Sequence, residues 1–111
     1  MTTEMSDSEF ETLSRGEMNA IEDALADVDP DDIDVSVSDG VLRLDLRDGT
    51  RVVINSHRAA RQIWMAAVAS AWHFDPVGDG LWRSPKSAEE LRPTLRKLVR
   101  ERIGVELPLG D

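Results

Sequence analysis

Asp-Gly dipeptides separate short runs of alternating apolar and polar residues in the middle of this chain. Asp39-Gly40 lies between the runs 33–38 and 41–47, and Asp48-Gly49 lies between 41–47 and 51–55. Both central positions of a type I′ hairpin turn need a positive φ, which Asp and Gly tolerate. Period-two alternation is typical of half-buried antiparallel strands, so the sequence predicts a meander with one buried face. Ile33, Val35 and Val37 share one face of the first run, and the inward residues of the other two are Leu42, Leu44, Leu46, Val52 and Ile54.

The strand pattern is weaker in the second half of the chain. Residues 62–66 and 72–75 are interpreted as two further strands, and Asp79-Gly80 as a turn into a short strand at 81–83. The stretch 60–70 taken alone fits a helix equally well, because it is rich in helix-forming residues.

One helix is predicted at each end of the chain. Apolar residues recur every three or four positions over residues 8–28, and Ser8 is the expected N-cap. The second helix is expected over residues 87–103, where Ser87 and Glu90 form a capping-box pattern.

These elements predict an α+β fold, a two-layer sandwich with two terminal helices packed on one face of a five- to six-stranded antiparallel sheet. Pro93 requires the second helix to start later or to kink near 89–93, and the apolar tail 105–109 is expected to lie against the core. Residues 1–111 are expected to form a single domain. The opposite, uncovered face of the sheet should carry Arg43, Asp45, Arg51, Val53, Asn55, Gln62 and Trp64.

Composition excludes several classes of protein. The 111 residues are 41% apolar, which is enough for a core, and contain no cysteine, so disulfides, thiolate metal sites and cysteine nucleophiles are ruled out. The net charge of -9 argues against nucleic acid or an anionic membrane as the main partner. No apolar run approaches the roughly 20 residues of a membrane span, and the acidic start resembles no leader peptide. A cytoplasmic location is therefore expected.

The negative charge is concentrated at one end of the sequence. Residues 1–39 hold thirteen acidic residues and one base, Arg15. Seven of these carboxylates, which we call the acidic ridge, are close in sequence: Glu22, Asp23, Asp27, Asp29, Asp31, Asp32 and Asp34. Such a ridge suits hard cations such as Mg²⁺, Ca²⁺, Mn²⁺ and iron, or a groove lined by Lys and Arg, and a solvated acidic face is the remaining interpretation.

Motifs for catalysis are not found. His57 and His73 lack metal-ligand spacing, and there is no nucleophile elbow and no phosphate-binding loop. An EF-hand starting at Asp27 fails, because Pro30 interrupts it, Asp32 stands at the glycine position and Ser38 at the final glutamate. Catalysis by this chain alone is not expected.

Trp64 is a candidate interface residue. Strand parity places it on the uncovered face of the sheet with Asn55 and Gln62, and an exposed tryptophan among polar groups is typical of a binding surface. A one-residue error in parity would make it a core residue instead.

The sequence resembles the frataxin family, and most closely its bacterial CyaY-type members, over about residues 7–107. The similarity is carried by Asp7-Ser8-Glu9-Phe10, Ile21-Glu22-Asp23, Asp32-Ile33-Asp34, Gly40-Val41-Leu42, Asp48-Gly49, Ile54-Asn55, Gln62-Ile63-Trp64-Met65-Ala66, His73-Phe74-Asp75 and Gly80-Leu81-Trp82. The resemblance favours a strand over a helix at 60–70. Ala26, Ala59, Ser70-Ala71 and Pro93 depart from the usual family pattern, and Ala26 makes the ridge thinner.

The resemblance implies a role in iron–sulfur cluster assembly. Frataxins bind iron weakly through the acidic ridge, with other divalent cations able to substitute, and dock on the cysteine desulfurase and its scaffold protein as iron donor or regulator. Carried over, the metal-binding residues are Glu22, Asp23, Asp27, Asp29, Asp31, Asp32 and Asp34. The partner-binding residues are Glu22, Asp23, Asp27, Asn55, Gln62 and Trp64. A monomer is expected, with metal-induced oligomers as a further expectation.

Two other functions stay open at this stage. The ridge could oxidise ferrous iron, although a ferroxidase centre normally also contains His and no His lies in the ridge. The chain could also be an acidic interaction module without any role in iron chemistry.

Overall fold

The computed structural model describes residues 5–110. Two helices, α1 (Asp7–Ala26) and α2 (Leu91–Ile103), enclose six strands in the sequence. The strands are β1 (Ile33–Ser38), β2 (Val41–Leu46), β3 (Arg51–His57), β4 (Gln62–Ala67), β5 (Ser70–Gly78) and β6 (Leu81–Arg83). They form one antiparallel sheet in the order β1-β2-β3-β4-β5-β6, and both helices pack on one face. The predicted sandwich is confirmed, including a strand rather than a helix in the 60–70 stretch.

The core lies between the helices and the inward face of the sheet. Leu42, Leu44, Val52 and Ile54 are fully buried, as their alternation predicts. Val37 is on the predicted face, since its register partner Leu42 is fully buried, but it is 51% exposed. β1 is an edge strand, and its burial falls from Ile33 toward the hairpin end.

The Asp-Gly dipeptides form two kinds of turn. Asp39-Gly40 has φ values of 51° and 77°, as a type I′ turn requires. The β2–β3 connection is longer than predicted and spans residues 47–50, and within its Asp48-Gly49 pair only Gly49 has a positive φ. There the Asp48 carboxylate accepts a hydrogen bond from the Thr50 N–H at 3.0 Å, which stabilises the wider loop.

The start of α1 differs from the prediction. Its N-cap is Ser6 rather than Ser8, because the Ser6 Oγ accepts a hydrogen bond from the Glu9 N–H and the Glu9 side chain accepts one from the Ser6 N–H. This reciprocal capping box gives a hydrogen-bond acceptor to the backbone N–H groups of both Ser6 and Glu9. The helix ends at Ala26, with Asp27 as C-cap, two residues before the predicted end.

The second helix starts later than the Ser87–Glu90 pattern predicts. Glu90 is the N-cap and makes no side-chain capping bond, so the predicted capping box is wrong. Pro93 is the third helical residue, where a backbone N–H would have no partner within the helix, and it therefore fits without a kink. The tail packs as predicted, since Leu107 and Leu109 are buried and the Arg96 Nη1 donates to the Leu109 carbonyl at 2.7 Å.

Candidate functional site

The acidic ridge follows the path from the end of α1 to the outer strand of the sheet. Glu22 and Asp23 lie in the last helical turns, Asp27 is the C-cap, and Asp34 lies on the edge strand β1. Glu22 and Asp32 are half-buried, and the other five are exposed: Asp23, Asp27, Asp29, Asp31 and Asp34. The ridge is therefore largely accessible to solvent.

The position of the ridge on α1 is electrostatically unfavourable. The carboxyl end of a helix carries the negative end of its dipole, which favours Lys and Arg there and disfavours carboxylates. The last turn of α1, which is described in full, contains no basic residue, and Asp23 and Asp27 are i,i+4 neighbours of like charge. A bound cation or a basic partner would relieve this repulsion.

Two ridge carboxylates already have partners within the chain. Asp32 forms an ion pair with Arg47, whose Nη2 also donates to the Ile103 carbonyl at 2.8 Å. Asp29 Oδ1 accepts a hydrogen bond from the Asp31 N–H at 2.9 Å. Across residues 5–110, no three His, Asp or Glu side chains converge into a metal-sized group. The ridge is an open row of oxygen donors rather than a coordination cage.

The face of the sheet opposite the helices, which we call the open face, centres on Trp64. Asn55 and His73 are its register partners on the two neighbouring strands. Ile63 and Met65, on either side of it in β4, are 0% and 1% exposed, so the predicted strand parity is confirmed. The alternative of a core tryptophan is excluded.

Two imidazole rings enclose the indole of Trp64. His57 stacks on one face with ring centroids 3.9 Å apart and an interplanar angle of 10°. His73 stacks on the other face at 4.2 Å and 12°. Trp64 is consequently half-buried rather than fully exposed as predicted. The indole between the two imidazoles also keeps them from sharing one metal ion.

A polar chain fixes the indole edge. The Trp64 Nε1 donates to the Gln62 Oε1 at 2.9 Å, and the Gln62 Nε2 donates to the Asp75 Oδ1 at 2.9 Å. The predicted residues Gln62 and Trp64 are thus in direct contact, and Asn55 lies beside Trp64 in the register.

Three residues of the open face were not predicted to belong to this site: His57, His73 and Asp75. The spacing of the two histidines argued only against a metal site. Strand parity combined with register would have identified them. A meander that pairs residue 55 with 64 and 64 with 73 puts His73 beside Trp64, and the two-residue alternation then puts His57 and Asp75 on the same open face.

Membrane insertion by a helix has no support in the described part of the chain. Neither α1 nor α2 is long and apolar enough to cross a bilayer.

Known proteins resemble this chain over nearly its full length. A family model described as a frataxin-like domain matches residues 3–105. The iron–sulfur cluster assembly protein CyaY of Ralstonia pickettii (strain 12J) is 34% identical over 109 residues, covering 96% of each chain. The protein of the same name from Cupriavidus necator is 35% identical over 109 residues, covering 96% of this chain and 97% of the relative.

Solved structures agree with these sequence matches. A frataxin from Psychromonas ingrahamii superposes with a TM-score of 0.86 at 23% identity, covering 96% of this chain and 100% of that chain, and so supports the fold. A ferrous-complexed trimeric frataxin from Saccharomyces cerevisiae has a TM-score of 0.66 at 26% identity, covering 95% of this chain and 92% of that one. The family model, the curated relatives and the fold agree, and the chain belongs to the frataxin family, with bacterial CyaY proteins among its relatives.

Proposed function

We propose that this protein binds iron in the assembly of iron–sulfur clusters, acting in the cytoplasm as iron donor, as regulator of cluster formation, or as both. The observation that carries the proposal is the row of seven carboxylates from the carboxyl end of α1 to β1 in a chain of the frataxin family. The acidic ridge would bind Fe²⁺ or Fe³⁺ weakly and dock on the cysteine desulfurase and its scaffold protein.

The chemistry of the ridge supports weak binding of hard cations. Carboxylate oxygens are ligands for iron, Mn²⁺, Mg²⁺ and Ca²⁺, and an open row without a cage discriminates poorly between them. The ferrous-complexed yeast relative supports iron as the relevant cation. Because the ridge carboxylates repel one another, a bound cation would also stabilise the folded state.

Two features support docking on partners. The ridge presents negative charge to a basic groove, and the open face presents a half-buried indole within a polar surface. Charge of this kind mainly accelerates and orients association, whereas a tryptophan supplies the buried contact that dominates affinity. A non-catalytic role fits the names of the CyaY relatives, which describe assembly.

Ferroxidase activity has less support. Both histidines lie on the open face, on β3 and β5, and contact Trp64, whereas the ridge is built by α1, the following loop and β1. The ridge therefore offers carboxylates without a neighbouring imidazole.

Iron titration tests the metal-binding part of the proposal. Adding Fe²⁺ without oxygen should broaden the backbone amide resonances of residues 22–34 first and should raise the melting temperature, because the ligand binds only the folded form. The double variant Asp23→Asn/Asp27→Asn should weaken both effects. The matched control Glu101→Gln/Glu106→Gln, in and just after α2, should not. Equal broadening across all acidic surfaces would contradict a site at the ridge.

A further inference from the structure

The side chain of Trp64 is held on three sides. His57 and His73 cover the two faces of the indole, with ring centroids at 3.9 Å and 4.2 Å, and Gln62 accepts the hydrogen bond of Nε1 at 2.9 Å. An isolated tryptophan on a sheet surface could turn about both of its side-chain bonds. Here the two stacked rings and the hydrogen bond of Nε1 hold the indole in one orientation in the absence of a partner.

We propose that His57 and His73 are positioning residues that hold Trp64 ready for a partner on the open face, and that protonation of these two imidazoles weakens the docking. The inference rests on the proposed function, because it assumes that the partner assembly covers the open face. It adds a mechanism by which acidity controls that contact.

The positioning part follows from the cost of ordering a side chain at an interface. A binding partner must immobilise rotamer-rich side chains, and a side chain that is already fixed in its bound orientation removes this cost. Rigid aromatic residues surrounded by supporting contacts are typical of interface hot spots. The two imidazoles and Gln62 supply that support from β3, β4 and β5.

The proton dependence follows from the hydrogen bond at His57. Its Nδ1 accepts the Ala60 N–H at 3.2 Å, which requires that this nitrogen carries no proton. Full protonation makes Nδ1 a donor and breaks the contact. Histidine is the side chain that ordinarily changes charge between about pH 5 and pH 8, and the chain contains only these two.

A partner covering the open face would have to bury the protonated rings. Removing a cation from water is costly unless an opposite charge compensates it, so the partner should prefer the neutral stack. By linkage, docking and proton binding then oppose each other.

The charges around His57 come from the turn that follows β3 and from β5. Arg58 and Arg61 flank the turn, and each forms an ion pair with an acidic residue of α1, Glu11 and Asp7 respectively. Asp75 of β5 is hydrogen-bonded to Gln62, the register partner of His57.

The charges around His73 come from its own strand and from the segment after β6. Asp75 is two residues away on β5, and Lys86 and Glu89 line the open cleft beside His73, with the Glu89 Oε1 accepting a hydrogen bond from the Trp72 Nε1 at 3.3 Å. Arg83, the register partner of Asp75, forms an ion pair with Glu90.

Three variants separate positioning from protonation. In His57→Phe/His73→Phe an aromatic ring is kept on each face of the indole, but neither ring can be protonated. In His57→Ala/His73→Ala the stack is lost as well, and in Trp64→Ala the indole itself is lost. Affinity for the cognate desulfurase–scaffold assembly would be measured for all of them and for wild type at about pH 5.5 and about pH 8.

We expect Trp64→Ala to weaken docking about thirtyfold at pH 8, a hot-spot-sized loss, and the double alanine variant to weaken it about tenfold. The double phenylalanine variant keeps two stacked rings but loses the Nδ1 acceptor for the Ala60 N–H, so at pH 8 it should bind about threefold more weakly than wild type, a smaller loss than that of the double alanine variant. Wild type should bind about fivefold more weakly at pH 5.5 than at pH 8, and the double phenylalanine variant should lose that difference.

The free protein supplies an independent readout. The indole N–H resonance of Trp64, identified by its absence in Trp64→Ala, should shift between pH 5.5 and pH 8 in wild type and stay constant in the double phenylalanine variant. An unchanged resonance in wild type would overturn the proton-dependent part without reference to any partner.

Two binding results would overturn the inference in distinguishable ways. If Trp64→Ala weakens docking and the double alanine variant does not, the open face is the docking surface and the histidines do not position the indole. If Trp64→Ala leaves docking unchanged while the resonance still responds to pH, the docking role of the open face is wrong, and the inference falls with it.

Discussion

Glu17 shows how a single residue can join the two helices. Its side chain is only 3% exposed, and its two oxygens accept hydrogen bonds from the Arg92 Nε at 2.9 Å and Nη2 at 2.7 Å. Arg92 also donates to the Gly110 carbonyl at 3.1 Å, so this side chain connects α1, α2 and the C-terminal tail. A bidentate pair of this kind fixes geometry as well as charge.

Replacing Arg92 should therefore destabilise the fold strongly. In Arg92→Ala the buried Glu17 carboxylate loses its counter-charge, and breaking such a pair from one side typically costs about 3–5 kcal/mol. Because Arg92 is itself 22% exposed, we expect the free energy of unfolding, measured in urea, to fall by about 3 kcal/mol. Arg51→Ala is the control, since its pair with Asp45 is exposed on both sides and should contribute less than about 1 kcal/mol. Equal losses in the two variants would show that the buried Glu17–Arg92 pair contributes no more to stability than an exposed pair.

Asp48 should make stability depend on pH on the acidic side. Hydrogen bonds from Thr50, first from its backbone N–H and then from its hydroxyl, lower the pKa of Asp48 below its ordinary 3.8, and Arg102 lowers it further. The folded state thus holds the proton less tightly than the unfolded chain, and the resulting stability is present above about pH 4 and is lost as the pH falls through the lowered value.

The substitution Asp48→Asn keeps an oxygen that can accept the Thr50 N–H but removes the charge. Its melting temperature should lie below that of wild type near pH 7, and the difference should shrink as the pH falls below about 3. A difference that stays constant with pH would assign the effect to packing instead.

At the scale of the helices, two glycines should respond to the same substitution with opposite signs. Gly16 lies inside α1 with no positive φ and no atom within 4 Å of an added Cβ, whereas Gly104 ends α2 with φ of 71°. Gly16→Ala should stabilise the protein by about 0.5–1 kcal/mol, because alanine loses less backbone entropy in a helix. Gly104→Ala should destabilise it by about 1 kcal/mol, because a left-handed conformation strains alanine. Chemical denaturation of both variants measures this, and a shift of the same sign in both would contradict it.

The elements were predictable where local pattern and burial agree. Alternation identified β2 and β3 because both strands are interior and one face of each is fully buried. It gave the correct face for Val37 but not its exposure, because the edge strand β1 is not covered along its whole length. The start of α1 was ambiguous, since Ser6 and Ser8 are both good N-cap residues and only the geometry shows which one completes the box with Glu9.

At the scale of the whole molecule, the two halves of the candidate site differed in how far they could be predicted. The acidic ridge is contiguous in sequence, so composition alone located it. The stack around Trp64 requires the order and register of β3, β4 and β5, which no single stretch of sequence contains. The Glu17–Arg92 pair joins residues 75 positions apart and has no local signal at all.

Charge reversal at the end of α1 tests whether the acidic ridge is a docking surface. Asp23→Lys/Asp27→Lys places two cations at the carboxyl end of α1, where the helix dipole favours them, so the fold should be kept or stabilised. Glu101→Lys/Glu106→Lys is the matched control, because both of its residues are also exposed and the net charge changes by the same amount. The measurement is the affinity of both variants for the cognate cysteine desulfurase, with and without Fe²⁺ and at two salt concentrations.

The ridge variant should bind more weakly than wild type by about 2 kcal/mol or more, and salt should weaken the wild type toward it, whereas the control should bind almost as wild type does. Equal losses in the two variants would mean that net charge alone governs the association, and would contradict a docking site at the acidic ridge.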